Sequence, residues 1–281
     1  MIKEDMKYIA TIFIFASFII SSACSSVAII GMIGSTVSRT VENSYAHSTI
    51  DGGVNTVRNP DKIAIANVDL GVEYMRQGNY EKALERLNYT KQVKPDYAPT
   101  YNVLGLLYQR LDDVIQAEIY FRKSIQLDNG NPDFLNNYGQ FLCKQDRDIE
   151  AIEYFLEAAR DPFYKAPEIP FSNAGTCAYK FSQIDEAVGY FEKALSLNPN
   201  IPTTLIQMSE ICYGKGDHHA AHEYLDRYVD LSRHTAKSLW LGIRIERQLG
   251  NKDAVSSYAL LLRNNFPEEK EAELLKESGA R

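Results

Sequence analysis

Two histidines four residues apart are the sharpest candidates for chemistry in this sequence. In DHHAAHEY (residues 217–224), His218 and His222 have the spacing that places two imidazoles on one face of a helix, where they could share a metal ion. No acidic residue stands where the zinc-protease motif HExxH has its glutamate. A solvated helix start explains the pair better than a metal site. A catalytic metalloprotein built here would carry stoichiometric zinc, and we expect no metal and no other cofactor.

The cysteines are the next candidates. Cys143, Cys177 and Cys212 fall in successive units of a repeat described below, 34 and 35 residues apart. Equivalent positions on neighbouring packed helices are about 10 Å apart, which is too far for a disulfide. We therefore predict that these three side chains are buried thiols. Cys24 stands apart, in an apolar N-terminal segment.

Charge and motifs exclude several classes of function. The chain of 281 residues has a net charge of −7 and an isoelectric point near 5.4, with no stripe of clustered Lys and Arg, which argues against binding nucleic acid. No glycine-rich phosphate loop, nucleophile elbow or acid–base constellation stands out. The sequence therefore predicts a protein that is not an enzyme.

The elements that position these residues follow from an internal repeat. Segments such as LGVEYMRQGNYEKALERL (70–87) and LGLLYQRLDDVIQAEIYF (104–121) recur six times, and the small residue near each start recurs at spacings of 34, 34, 36, 34 and 33. An alanine follows each small residue after twelve positions, and a large side chain follows four positions later. This pattern matches the tetratricopeptide repeat (TPR), a helix, a turn and a second helix. We predict an all-α solenoid of about six helix-turn-helix repeats.

Two irregular segments set the predicted boundaries. Repeats one to three occupy 64–160, a linker rich in proline and aromatic residues occupies 161–170, and repeats four to six occupy 171–267. The linker is expected to loosen the junction between repeats three and four. After Pro267, residues 268–281 are predicted to form a polar capping helix with acidic residues in its first turn.

The N-terminus carries a targeting signal. Residues 8–20 form an apolar stretch that suits a signal peptide and is short for a membrane span. Small residues precede Cys24, so the segment resembles the lipobox of bacterial lipoproteins, although Ser21 stands where that pattern usually has Leu. This implies a signal peptide over 1–23 and an acylated Cys24 followed by a flexible tether over 24–63. An uncleaved anchor through residue 34 is the alternative, and Met6 is an alternative start.

The inner surface of the solenoid is the predicted binding site, because the first helix of each tetratricopeptide repeat lines the concave face. Its first part is apolar and suggests a groove for a partner helix, or a surface covered by the tether. The apolar positions are Ile65, Val68, Val72, Met75 and Leu106. The middle part is polar and could hold an extended peptide or a terminal carboxylate, or it could simply be solvated. The polar positions are Asn102, Asn136, Asn137 and Asn173.

Lipobox, tether and six repeats together resemble the PilF/PilW family of type IV pilus biogenesis lipoproteins. The most specific matches are NNYGQFLCKQ (136–145), DPFYKAP (161–167) and AKSLWLGIRIERQLGNKDAVSSYALLLRNNFPE (236–268). The resemblance implies a pilotin, which binds the secretin subunit of the pilus machine and promotes its multimerisation in the outer membrane. It also implies attachment to the periplasmic face of that membrane through acyl chains on Cys24. The alternative is a periplasmic scaffold lipoprotein that organises cell-wall enzymes or outer-membrane protein assembly.

Overall fold

The computed structural model describes residues 59–279, and this part of the chain consists of helices and short turns without strands. Twelve of its thirteen helices form six antiparallel pairs, and α13 follows the last pair. The helices are α1 Pro60–Arg76, α2 Tyr80–Val93, α3 Ala98–Arg110, α4 Val114–Leu127, α5 Pro132–Lys144, α6 Asp148–Ala159, α7 Glu168–Lys180, α8 Ile184–Leu197, α9 Pro202–Gly214, α10 His218–Leu231, α11 Ala236–Leu249, α12 Lys252–Asn265 and α13 Lys270–Glu277. The predicted all-α tetratricopeptide solenoid is confirmed.

The helix boundaries follow from local chemistry that recurs with the repeat. Proline occupies the first position of three odd-numbered helices, where its missing N–H leaves no hydrogen bond unmade. Several even-numbered helices begin after an Asn or Asp whose side chain accepts a backbone N–H of the first turn, as Asn79 does from Lys82 at 3.2 Å. Each turn within a pair places one residue in the left-handed region, namely Gly78, Asp112, Asp146, Ser182, Gly216 and Gly250.

The small residue and the large residue of each repeat meet between the paired helices. A Cβ added to Gly175 of α7 would lie 2.5 Å from the ring of Phe191 on α8, and one added to Gly105 would lie 2.7 Å from the ring of Phe121. Because a Cβ atom never approaches an aromatic carbon so closely, only glycine permits this spacing of the helices at these positions. Phe121 and Phe191 are fully buried, so the repeat signal in the sequence marks the core contact of each pair.

The prediction of three free thiols is wrong for two of them, because Cys143 of α5 and Cys177 of α7 form a disulfide with their Cα atoms 5.9 Å apart. The two cysteines do not occupy equivalent positions in their repeats, so the expected separation of about 10 Å does not apply to them. The longer interval between repeats three and four puts Cys143 four residues after Gly139 but Cys177 only two residues after Gly175. The two side chains therefore face each other across the gap between the helices. Cys212 is a free, partly buried thiol.

The junction between repeats three and four is braced rather than loosened. The disulfide joins α5 to α7, and the hydroxyl of Tyr164 in the linker donates to Asp133 Oδ1 of α5 at 3.0 Å. Two boundaries also differ from the predicted ones. Helix α7 begins at Glu168, within the predicted linker, and α1 begins at Pro60, within the predicted tether.

The C-terminal end is closed by α13, whose Ala272 and Leu275 are buried against α11 and α12. Its first turn carries Glu271 and Glu273, which suit the positive end of a helix dipole. No helix between residues 59 and 279 has the length and apolar character needed to cross a bilayer. Cys24, the signal segment and the predicted tether up to residue 58 lie outside the described residues.

Candidate functional site

The first helices of the pairs share one surface, and side-chain hydrogen bonds run along it from repeat to repeat. We call this the inner surface; it is formed by α1, α3, α5, α7, α9 and α11. The asparagines predicted to bind a peptide hold it together. Asn137 Nδ2 of α5 donates to Asn102 Oδ1 of α3 at 3.2 Å, and Asn173 Nδ2 of α7 donates to Asn136 Oδ1 of α5 at 2.8 Å. Asn102 and Asn136 are buried. These four side chains therefore use hydrogen bonds to fix neighbouring repeats.

At the apolar end of the inner surface, fewer of the predicted side chains are exposed than expected. Ile65 and Val72 of α1 are 48% and 47% exposed, as a contact surface requires, but Val68 and Met75 are only 7% and 4% exposed. Val68 and Met75 pack in the core of repeats one and two instead. Leu106 of α3 is partly buried and directly follows its repeat's glycine, as Val72 does in α1. The accessible apolar patch, defined here as Ile65, Val72 and Leu106, lies on the first two inner helices.

Polar contacts continue along the inner surface toward its C-terminal end. Ser172 of α7 and Thr204 of α9 share a buried hydrogen bond of 2.7 Å. One turn further along α7, the Thr176 hydroxyl donates to Gln207 Oε1 of α9 at 2.9 Å. These contacts join repeat four to repeat five in the way that the asparagines join the repeats before them.

An arginine that forms no ion pair within the described part of the chain lies at the end of this row. The guanidinium carbon of Arg244 on α11 is 4.7 Å from the centre of the Tyr213 ring on α9. Its Nε is buried and has no hydrogen-bond partner among the described residues. Arg244 takes part in none of the ion pairs formed between residues 59 and 279. The sequence alone does not single out this residue, since one arginine in an amphipathic helix carries no motif.

A desolvated carboxyl group lies beside this arginine. Burial raises the pKa of Glu210 on α9, and the positive charges of Arg244 and Lys237 oppose that rise. The hydroxyl of Tyr179 on α7 lies 3.5 Å from Glu210 Oε2, at the limit of a hydrogen bond. The inner surface of repeats four to six therefore brings two cations and one poorly solvated carboxyl together.

The histidine pair has a structural role that the sequence did not reveal. The His222 side chain of α10 is 37% exposed, and its Nδ1 lies 2.7 Å from Oε1 of Glu246 on α11, a fully buried carboxyl. Its Nε2 lies 3.2 Å from Asp226 Oδ2. The His218 ring lies beside that of Tyr213, with ring centres 5.4 Å apart and the ring planes tilted by 49°. Within residues 59–279, no three His, Cys, Asp or Glu side chains converge as metal ligands would.

The second helices carry an ionic network and two exposed isoleucines that serve below as references. Glu118 Oε1 of α4 accepts hydrogen bonds from Arg122, Arg147 and Tyr138, the shortest being 2.7 Å from Arg122 Nη2. Burial alone raises the pKa of Glu118, but these donors hold it below its ordinary value. Ile115 of α4 and Ile149 of α6 occupy equivalent positions and are 72% and 71% exposed.

Comparison with known proteins identifies the family. Residues 98–131 and 172–201 match the family model of the tetratricopeptide repeat. Over 214 residues the chain is 31% identical to the type IV pilus assembly protein PilF of Pseudomonas aeruginosa, which covers 76% of this chain and 85% of PilF. The chain belongs to the PilF/PilW family.

Solved structures of that family agree with this assignment. The structure of Pseudomonas aeruginosa PilF aligns with a TM-score of 0.73 at 30% identity, over 78% of this chain and 99% of PilF. The structure of PilW, a widely conserved type IV pilus biogenesis factor, aligns with a TM-score of 0.69 at 28% identity, over 79% of this chain and 99% of PilW. The family expected from the sequence is confirmed.

Proposed function

We propose that this member of the PilF/PilW family acts in type IV pilus biogenesis as a pilotin, by binding rather than by catalysis. In this proposal it is an outer-membrane lipoprotein that binds the pilus secretin and promotes its localisation and multimerisation. The observation that carries the proposal is an exposed apolar patch on the inner surface of a solenoid from this family. Ile65 and Val72 are half exposed there, although side chains of this kind usually gain about 1.5–3 kcal/mol on burial.

The disulfide supports a periplasmic location. Disulfides persist in oxidising compartments such as the bacterial periplasm and are rare in the cytosol, where thiols are kept reduced. The bond between Cys143 and Cys177 joins two repeats, so the folded solenoid contains a link that an exported protein can keep. This agrees with export directed by the N-terminal segment that resembles a lipoprotein signal.

Acylation of Cys24 would explain how the protein escorts its partner. One acyl chain of myristoyl length binds membranes only marginally, whereas two or three chains hold firmly. A tether over residues 24–58 would then let the solenoid stand away from the lipid and bind a secretin segment at the membrane surface. The partner segment would place apolar side chains against Ile65, Val72 and Leu106.

A charge placed in the apolar patch tests this mechanism. Val72→Asp alters an exposed side chain and should leave helical content unchanged, while burying a carboxylate against an apolar partner costs at least about 2 kcal/mol. Secretin binding should therefore weaken by roughly 30-fold or more. The double variant Val72→Asp/Leu106→Asp should abolish it. Binding is measured by co-purification of secretin with the tagged full-length protein from detergent-solubilised membranes.

A matched control comes from the second helices. Ile115→Asp/Ile149→Asp introduces the same two charges at exposed isoleucines outside the inner surface, and this variant should retain secretin. Circular dichroism of each variant shows whether the fold is kept. Unchanged secretin binding by folded Val72→Asp/Leu106→Asp protein would contradict the groove, as would equal losses in the two double variants.

A further inference from the structure

We propose that Arg244, stacked on Tyr213, forms a second site on the inner surface that binds a carboxylate group of an extended peptide segment. The site lies on α9 and α11, far along the chain from the apolar patch on α1 and α3. It extends the proposed function, because a partner segment with an acidic group could contact the apolar patch at one end of the inner surface and Arg244 at the other. Its chemistry can also be tested without any secretin.

Arg244 has no hydrogen-bond acceptor among residues 59–279. A guanidinium has five N–H donors, and taking such a donor out of water without a partner is unfavourable. The Nε of Arg244 is buried without a partner, and the residue forms no ion pair within residues 59–279. Arg244 as a whole is partly exposed, so the acceptor oxygens of a ligand would pair with the guanidinium N–H groups that solvent reaches rather than with the buried Nε.

The guanidinium of Arg244 is positioned over an aromatic ring. Its carbon lies 4.7 Å from the centre of the Tyr213 ring, within the range of a cation–π contact. A fixed planar guanidinium matches the two oxygens of a carboxylate and loses little rotational freedom when it binds them. By contrast, Arg227 of α10 also stacks on a tyrosine, at 5.5 Å from Tyr224, but its Nη2 donates to the carbonyl oxygen of Pro199 at 2.9 Å.

The charges of neighbouring side chains also favour an anionic ligand at Arg244. The protein has a net charge of −7, yet Arg244 and Lys237 both act electrostatically on Glu210, the carboxyl group beside them. Glu210 does not neutralise Arg244 in a direct ion pair, and its carboxyl group accepts a long hydrogen bond of 3.5 Å from the Tyr179 hydroxyl. Two positive charges therefore act beside Glu210, and positive charge here favours an anionic ligand.

Three short peptides test the site. The probes are acetyl-Ala-Glu-Ala-amide, with a side-chain carboxylate, acetyl-Ala-Gln-Ala with a free C-terminal carboxylate, and acetyl-Ala-Gln-Ala-amide, which is neutral. They are titrated into the detergent-solubilised full-length protein labelled with ¹⁵N-arginine. The Nε–H signals of Arg244 and Arg227 are assigned by their loss in Arg244→Gln and Arg227→Gln.

The Arg244 signal is expected to move with one or both acidic peptides, with a dissociation constant on the order of 1 mM, and to stay in place with the neutral peptide. The acidic peptide that shifts the Arg244 signal shows whether the site binds a side-chain carboxylate or a C-terminal carboxylate. Arg227→Gln should leave the affinity unchanged, and Glu210→Gln should raise it several-fold because a competing negative charge is removed. An Arg244 signal that ignores all three peptides at about 10 mM, or follows the neutral one equally, would overturn the site.

Co-purification of secretin distinguishes a failure of the carboxylate site from a failure of the proposed pilotin role. If the acidic peptides bind at Arg244 but the wild-type protein retains no secretin, the pilotin role fails and the carboxylate site stands. If the wild-type protein retains secretin but the Arg244 signal does not respond to the acidic peptides, the carboxylate site fails and the pilotin role stands.

Discussion

Removing the disulfide should destabilise the solenoid without changing its fold. The perturbation is Cys143→Ala/Cys177→Ala, which deletes the bond and leaves small apolar side chains at positions that α5 and α7 bring together. The bond closes a loop with a sequence separation of 34, and in the chain-entropy description a loop of this length restricts the unfolded state by about 3.8 kcal/mol. For a protein of this size, that difference lowers the melting temperature by roughly 8–15 °C.

Thermal unfolding followed by far-UV circular dichroism measures this loss. Wild-type protein with a reductant should melt close to the double variant, and the reductant should not change the melting temperature of the variant itself. Cys212→Ala is the matched control, because it removes a partly buried free thiol and should keep the response to reductant. A wild-type melting temperature that does not respond to reductant, with the disulfide shown to be reduced, would refute this reasoning.

Other perturbations test the packing and the buried charges. Gly175→Ala should lower the unfolding free energy by about 1–3 kcal/mol because the added methyl group clashes with the facing ring. Gly189→Ala, in open space on the paired helix, should raise it by up to about 1 kcal/mol. Urea unfolding measures both changes. His222→Ala should lose about 1–3 kcal/mol by leaving the buried Glu246 carboxyl without its hydrogen-bond partner, and adding Glu246→Gln should restore part of that loss. The lowered pKa of Glu118 stabilises the fold above pH 4.5, the unfolded-state value, and this contribution disappears as pH falls through the folded-state pKa. Glu118→Gln should therefore flatten the acid limb of a plot of urea midpoint against pH, and an unchanged limb would argue against the network.

The fold could be predicted from the sequence because the residues that define the repeat pattern are those that pack between the paired helices. Gly175 and Phe191 are sixteen residues apart in the chain, and the same pair recurs in other repeats because each needs a close approach of two helices. Such a local rule needs no knowledge of the rest of the molecule. The linker interrupts it, and there the expectation of a loose junction failed.

The disulfide and the histidine contact could not be predicted from the same rule. The bond between Cys143 and Cys177 depends on a two-residue shift in register between repeats. The contact of His222 with Glu246 joins residues 24 positions apart on adjacent repeats. Both depend on how one repeat is rotated against the next, and the repeat pattern does not fix that angle.

Repeat position predicted which helices line the inner surface, but not how exposed each of their side chains is. Repeat position alone identified Val72 and Val68 as inner-surface residues, yet Val68 turns into the core and Val72 is exposed. Arg244 was missed because its significance comes from the absence of a partner, which only the three-dimensional surroundings reveal.

The most direct test of the pilotin role is the amount and location of heat-stable secretin multimers in separated inner and outer membranes. Strains carrying the wild-type gene, Cys24→Ala and a deletion of the gene are compared. A lipid-anchored pilotin predicts multimers in the outer membrane of the wild type that vanish, or move to the inner membrane, in the other two strains. Multimers unchanged in amount and location after deletion of the whole gene would contradict the role.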